Sequence, residues 1–561
     1  VIVRRKLFRG LICCSTAAGL VSLMLIPPGS EALAAGGPRP GVVKQGSAAV
    51  ALPQVTPIPR KAGTHGYPYD AVPRKPTVPG APFISLGTLG YAEREFQMSG
   101  VTNIYSQSGF WGSNGVWPVS VFRSNVPYTT RILVRYPTNP AKFNGTVVFE
   151  WLNDTTGGDQ DPVWSELYNQ LLAKGYAYVG VTAQTPGMNE LKQWDPVRYA
   201  ALGDTNDGQS YDIFTQAAEV VYADAGNVLG TLTPRVLIAT GDSQSAFRID
   251  TYVNAIQPVT HLFDGFLAVG RAAGAAPLGS GLLATSPFPA LIRTDNTTPF
   301  VQLNTQGDIE ELDAGAARQP DNADLRTWEV AGASHIDAHE AAYEIETIAK
   351  ENPTLPPVSC LFGTPIKGTG TALDGLNQPD NMPLFEAEDA AFAALEKWVV
   401  NGVQPPNATP IQTIPVYFGL YDLVVTNQYG IGSGGIQLPE AHVPTETYSP
   451  INFSTTSSVT QDPAALITEL EAAIAALGTG AITNTAARAA GLCLLSGYFN
   501  NLSTTTLDGL YPTSQAYAAA YDNAATGDVA AGFMTSADAA AAEANANAGY
   551  GPTQQPPFPI P

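Results

Sequence analysis

The chain has 561 residues, 44% hydrophobic and 14% charged, with 49 acidic against 28 basic side chains and a formal net charge of -21. That length exceeds a single small core, and the apolar content excludes a disordered chain. The acidic balance, with a pI of about 4.6, excludes a nucleic-acid partner, because no basic stripe exists to displace phosphate counterions.

The first ten residues, VIVRRKLFRG, are basic; LICCSTAAGLVSLMLI is apolar; PPGSEALAAGG ends in small residues. That order reads as a signal peptide over 1–34, cut near Ala34 or Ala35, and implies a secreted or periplasmic protein. A membrane anchor is the rival reading, but the apolar run is short for a stable span, so no stable membrane insertion is expected after cleavage. The Arg4–Arg5 pair is compatible with twin-arginine export. Cys13 and Cys14 leave with the signal. Cys360 and Cys493 remain, and in an oxidising compartment they suggest one disulfide, with two buried thiols as the alternative.

Residues 35–80 are rich in Pro, Gly and basic side chains and lack periodicity, so an extended leader is expected. Over 81–406 the pattern alternates strands and helices. Strands are expected at REFQMSGVTNIY, TRILVRYP, GTVVFEWL, YAYVGVTA, RVLIAT, FDGFLAVG, PFVQLNT and RTWEVAG. Several are short continuous apolar runs, the pattern of strands buried on both faces of a parallel sheet. Helices are expected at PVWSELYNQLLAKG, YDIFTQAAEVVYADA, SAFRIDTYVNAI and FEAEDAAFAALEKWVVNGVQPP. The fold class is therefore α/β, a three-layer arrangement with a mostly parallel sheet. From 407 to 561 the chain turns glycine-rich and then Ala-rich, with helices expected at DPAALITELEAAIAALG and SADAAAAEANANAG; this reads as a mixed extension or cap packed on the core.

One stretch carries chemistry. In RVLIATGDSQSAFRIDTYVNA an apolar run ends in Gly-Asp-Ser-Gln-Ser and passes directly into a helical pattern. A serine presented on a tight strand-to-helix turn needs small residues two before and two after it, because strand and helix approach closely there. Ser243 has Gly241 and Ser245 at those places, whereas Ser245 would have Ser243 and Phe247. Ser243 is thus the candidate nucleophile; the bland alternative is a helix N-cap. Two strands on, PFVQLNTQGDIEEL brings Asp308, and after the next strand RTWEVAGASHIDAHE brings His335. Serine, acid, histidine in that order matches a triad in which His335 is the base and Asp308 orients it. Glu310, Glu311 and Asp313 are rival acids, although they continue into a helix start, where acids are favoured anyway. His335 and His339 could be read as a metal pair, but no glutamate follows the first histidine, and His339 is expected on a helix surface. Oxyanion donors are expected from the backbone N–H of Gln244 and from Leu152 or Asn153 after GTVVFEWL. No metal or organic cofactor is expected.

With these residues in place the sequence resembles the α/β-hydrolase superfamily. More narrowly, it is similar to bacterial alpha/beta hydrolase domain-containing proteins with a Ser-Gln-Ser-Ala elbow. FEWLND, GYAYVGVTAQ, WDPVRYAAL, ATGDSQSAFRIDTYVNA, ARQPDNADLRTWEVAGASHID and GSGGIQLPEAHVP carry the resemblance, and LDGLYPTSQAYAAAY extends it almost to the C-terminus. It implies a serine esterase whose C-terminal region belongs to the hydrolase unit, acting on a small-molecule or polymeric ester. Such relatives often carry a glutamate just before the Asp308 position, where this chain has Gln306 and Gly307. An acyltransferase or serine peptidase would use the same triad, and an inactive secreted binding protein is the alternative from another class.

Overall fold

The computed structural model describes residues 52–59, 70–73, 83–203, 206–279, 286–351, 379–416, 421–452 and 494–547. The signal sequence, all four cysteines, His65 and the helix expected from 462 lie outside them.

The described chain opens with strand β1 (Gln54–Pro57), a two-stranded pair β2 (Ala71–Pro73) and β3 (Phe83–Ser85), and the long strands β4 (Tyr91–Gln107) and β5 (Val119–Pro137). Then come β6 (Thr146–Trp151), helix α1 (Pro162–Lys174), β7 (Ala177–Val181), α2 (Thr185–Trp194) and α3 (Ser210–Ala223). The segment that bears the site follows: β8 (Val236–Asp242), α4 (Gln244–Thr251), β9 (Gly265–Val269), β10 (Phe300–Thr305), α5 (Gln306–Glu311), β11 (Leu325–Val330), α6 (Ala338–Glu351) and α7 (Leu384–Asn401).

Nine of the described strands form one sheet in the order β1-β4-β5-β7-β6-β8-β9-β10-β11. The three at the β1 end pair antiparallel, and from β7 to β11 every pairing is parallel. β6 has β7 on one side and β8 on the other, so the chain reverses direction across the sheet there. A crevice opens at the carboxyl ends of strands at such a point. β1 lies inside the segment expected to be a leader. It is an edge strand bounded by Pro53 and Pro57, a place where proline's missing N–H costs no ladder bond.

The strands are short and apolar because both faces are covered. Val147 and Phe149 face one cluster, with Phe214, Tyr252, Phe263 and Phe266; Val148 faces the other, with Trp164, Leu171, Phe392 and Leu395. This alternation is the strand's period of two, and with helices on both faces it makes three layers. α1 ends at Gly175, whose φ of 76° closes the helix in the left-handed region. α4 does not run on as one α-helix to Ile256, as the pattern suggested. A wider turn spans Tyr252–Ile256. Pro258 brings no N–H to Asn254, whose carbonyl instead accepts Nη1 of Arg293 at 2.8 Å.

After α7 the chain is stitched to the sheet's far edge: Ile436 N–H reaches Glu329 O (2.7 Å) and Ala331 N–H reaches Ile436 O (3.0 Å). Two small pairs follow, β12 (Thr413–Val416) with β13 (Tyr421–Val424) and β14 (Glu446–Ser449) with β15 (Tyr498–Asn501). Helices α8 (Ser514–Ala531) and α9 (Ser536–Asn547) share a core of Tyr517, Tyr521, Met534 and Ala542, and Phe533 between them meets Trp328 edge-on at 5.1 Å. Among the described residues no helix is long and apolar enough to cross a membrane.

Candidate active site

β8 runs straight into α4 through one residue, Ser243, with φ 51° and ψ -118°. A positive φ on a residue with a side chain costs on the order of 1–3 kcal/mol and persists only where its surroundings enforce it. Here they do. Ser243 N–H bonds to Val269 O (3.0 Å). Ser245 Oγ accepts the Asp242 N–H (3.0 Å) and donates to the Asp242 carbonyl (2.8 Å), while Asn153 Nδ2 donates to that carbonyl from the β6 loop (3.0 Å). The turn is so tight that a β-carbon on Gly241 would sit 2.8 Å from the Ser245 main chain.

The other two side chains come from neighbouring strand ends. Asp308 lies in the first turn of α5. Its N–H bonds to Thr305 Oγ1 (3.0 Å), and its Oδ2 accepts the Thr305 N–H (2.6 Å), a reciprocal cap that fixes the carboxylate. His335 sits in the loop after β11. Its Nδ1 is 2.5 Å from Asp308 Oδ1 and its Nε2 is 2.8 Å from Ser243 Oγ. Burial opposes a charge on His335, but the Asp308 carboxylate and its hydrogen bond, with Asp242 adding, raise its pKa above the ordinary histidine value.

Of the rival acids, Glu310 accepts Gln306 Nε2 (3.4 Å), and Glu311 is buried with its pKa pushed well up by that burial. Gln306 Oε1 accepts the N–H groups of Gly332 and Gly432, each at 2.8 Å. It ties the His335 loop to the C-terminal region. That region also holds the loop directly, since Ile336 N–H bonds to Leu495 O at 3.1 Å.

The expected oxyanion donors fare differently. Gln244 N–H opens α4 and has no carbonyl four residues back to receive it. Its side chain is fixed by Gln184 Oε1 (3.0 Å), which also accepts Trp151 Nε1 (2.9 Å). Leu152 and Asn153 do not present their N–H groups: Leu152 donates to Val181 O (3.3 Å) and Asn153 to Gln160 O (2.9 Å). The sheet's ladder and an isolated bridge consume both donors. The next N–H, of Asp154, reaches Gln244 Oε1 at 3.4 Å, a long and weakly held bond. Asn153 does serve the site, through its side chain on Asp242.

His339 is another correction. It is fully buried between Tyr168 (5.6 Å) and Phe385 (4.5 Å), not on a helix surface, and burial lowers its pKa to about 3. It packs against α1 and α7, and among the described residues no group of His, Cys, Asp and Glu is placed to hold a metal ion.

The model of the alpha/beta hydrolase domain matches residues 55–544 of the sequence. The chain belongs to that family. No functionally curated protein matches the sequence of this alpha/beta hydrolase. Among solved structures it is similar to a cold-adapted esterase from an Arctic intertidal metagenomic library, at 12% identity and TM-score 0.23, over 43% of this chain and 85% of the other. It is also similar to the carboxylesterase Cest-2923 from Lactobacillus plantarum (13%, TM-score 0.21, 32% of this chain and 68% of the other). For the cell wall degrading esterase LipA from Xanthomonas oryzae the values are 12%, 0.19, 33% and 44%, so this hydrolase spans less than half of LipA's length. The chemical reading rests on the hydrolase's own geometry. An imidazole with one nitrogen on a hydroxyl and the other on a buried carboxylate can accept the hydroxyl proton and return it.

Proposed function

We propose that this hydrolase cleaves carboxylic esters through an acyl-enzyme on Ser243. The observation that carries this reading is the continuous contact from Ser243 Oγ through His335 to Asp308, at 2.8 and 2.5 Å, on a serine with strained backbone. As Oγ attacks the ester carbonyl, His335 Nε2 takes its proton and Asp308 stabilises the imidazolium. The carbonyl oxygen gains negative charge and accepts the Gln244 N–H, with the Asp154 N–H turning from Gln244 Oε1 as the second donor. The ester C–O bond then breaks, and His335 returns the proton to the departing alkoxide. Water repeats the sequence on the acyl-enzyme, releasing the acid and restoring Ser243.

The N-terminal signal pattern supports export, after which the mature protein would begin near Ala35. Purified mature protein is to be assayed on short-chain aryl esters beside Ser243→Ala. The expected result is turnover by the parent and a loss of about 10⁶-fold in the variant. Equal turnover by both would overturn the reading. Mass spectrometry of exported protein gives the mature N-terminus.

A further inference from the structure

The residue before the nucleophile brings a carboxyl group that the scheme above leaves unused. Asp242 ends β8, and its main chain is clamped on both sides by Ser245 and Asn153, so its position is as fixed as that of Ser243. Its carboxylate borders the space that holds the imidazole. A β-carbon on Gly270 would lie 2.9 Å from His335 Cε1, 3.1 Å from His335 Nδ1 and 3.1 Å from Asp242 Oδ1. Gly270 adopts φ 60° and carries no side chain, so the imidazole and the carboxylate border one small space beside it. Asp308 bonds the ring at Nδ1, and Asp242 borders the same space beside Gly270 that the ring borders.

We propose that Asp242 is a positioning residue for His335, stabilising across the space beside Gly270 the imidazolium that forms when Ser243 gives up its proton. The inference rests on the serine-hydrolase reading and adds a second carboxylate to it. The titratable groups that interact electrostatically with Asp242 are His335, Asp308 from α5, Glu340 and Glu344 from α6, and Glu388 from α7. Burial pushes Glu340, Glu344 and Glu388 well above the carboxylate range. Asp242 is also raised by burial, but His335 opposes the rise and leaves it at about 7. Above that value its carboxylate carries the negative charge that favours the imidazolium.

The experiment is a pH titration of the histidine Cε1 resonances in full-length protein with ¹³C-labelled histidine. The chain has five histidines, and His335→Gln assigns the resonance. Removing the negative charge in Asp242→Asn weakens the imidazolium, so the His335 pKa is expected to fall by about one unit. The acid limb of kcat/KM should move down with it. At alkaline pH kcat should drop about tenfold with KM little changed. Asp242→Glu, which keeps the charge, should restore most of both. Asp242→Ser supplies the same reading if the Asn variant does not fold. A His335 pKa unmoved in a folded neutral variant overturns the proposal. The titration needs no turnover, so its failure is distinguishable from a fully active Ser243→Ala, which would instead sink the nucleophile assignment.

Discussion

Ser245 bonds both main-chain groups of Asp242 with one hydroxyl, at 3.0 Å to the N–H and 2.8 Å to the carbonyl. The position where an elbow motif usually has glycine is therefore a clamp on the turn, not a tolerated deviation. Ser245→Ala leaves the buried Asp242 N–H without that acceptor, at a cost of about 1–3 kcal/mol. Chemical denaturation should show that loss. Ser245→Gly should lose as much, since it also lacks the hydroxyl, and should not outperform alanine. A glycine variant as stable as the parent would show that the clamp is dispensable.

Ser243 itself is held at φ 51°. Ser243→Gly removes the side chain that makes this angle unfavourable and should raise stability by about 1 kcal/mol or more over Ser243→Ala, which keeps a β-carbon. Both variants should be inactive. Equal unfolding midpoints for the two would mean the turn stores little strain.

Asp308→Asn separates the acid candidates. It removes the charge on His335 Nδ1 and favours the wrong tautomer, so kcat should fall by about 10⁴-fold. Glu310→Gln and Glu311→Gln should retain most activity, since neither carboxylate meets the imidazole. A Glu310 or Glu311 variant as impaired as Asp308→Asn would reassign the acid.

These assignments show where sequence was informative. Chain order and the small-residue rule singled out Ser243, Asp308 and His335, which the fold brings into contact because each follows a buried strand of the parallel sheet. The apolar runs at β6, β8, β9, β10 and β11 were legible for the same reason. What stayed hidden depended on contacts between distant segments. Neither the loss of the Leu152 N–H to Val181 nor the use of Asn153 by its side chain is written in local pattern. His339 follows a polar-looking helix start, yet α1 and α7 close over it. β1 escaped notice because a four-residue edge strand between prolines has no periodicity to read.

Stability and activity should respond to pH in opposite directions. Burial raises Glu310 to about 7 and Asp337 to about 6, and moves Glu166, which shares a hydrogen bond with Asp337, well above its ordinary range. Asp337 accepts the N–H groups of His339, Glu340 and Leu384. A carboxyl whose pKa is raised on folding binds more protons in the native state than in the unfolded one. Its stabilisation is complete below the unfolded value and is lost as pH rises through the folded value. Thermal midpoints should therefore fall from about pH 5 to about pH 8, and Glu166→Gln should flatten the slope. Activity should rise over the same interval as His335, with its raised pKa, becomes neutral. Midpoints that rise with pH would contradict the buried-acid account.

Gly270→Ala probes the imidazole's seat directly. The new methyl would lie 2.9 Å from His335 Cε1, closer than carbon atoms approach, and alanine at φ 60° adds backbone strain. The ring is held at Nδ1 by Asp308 and must turn or shift off Ser243 Oγ to relieve the contact. A displacement of about 1 Å costs on the order of 10²-fold in rate. Because Gly270 follows β9, outside the elbow and the Asp308 cap, substrate binding is expected to change far less than kcat. Steady-state kinetics should show a lowered kcat with KM nearly unchanged. Full activity in Gly270→Ala would mean that His335 reaches Ser243 from a ring position that this glycine does not constrain.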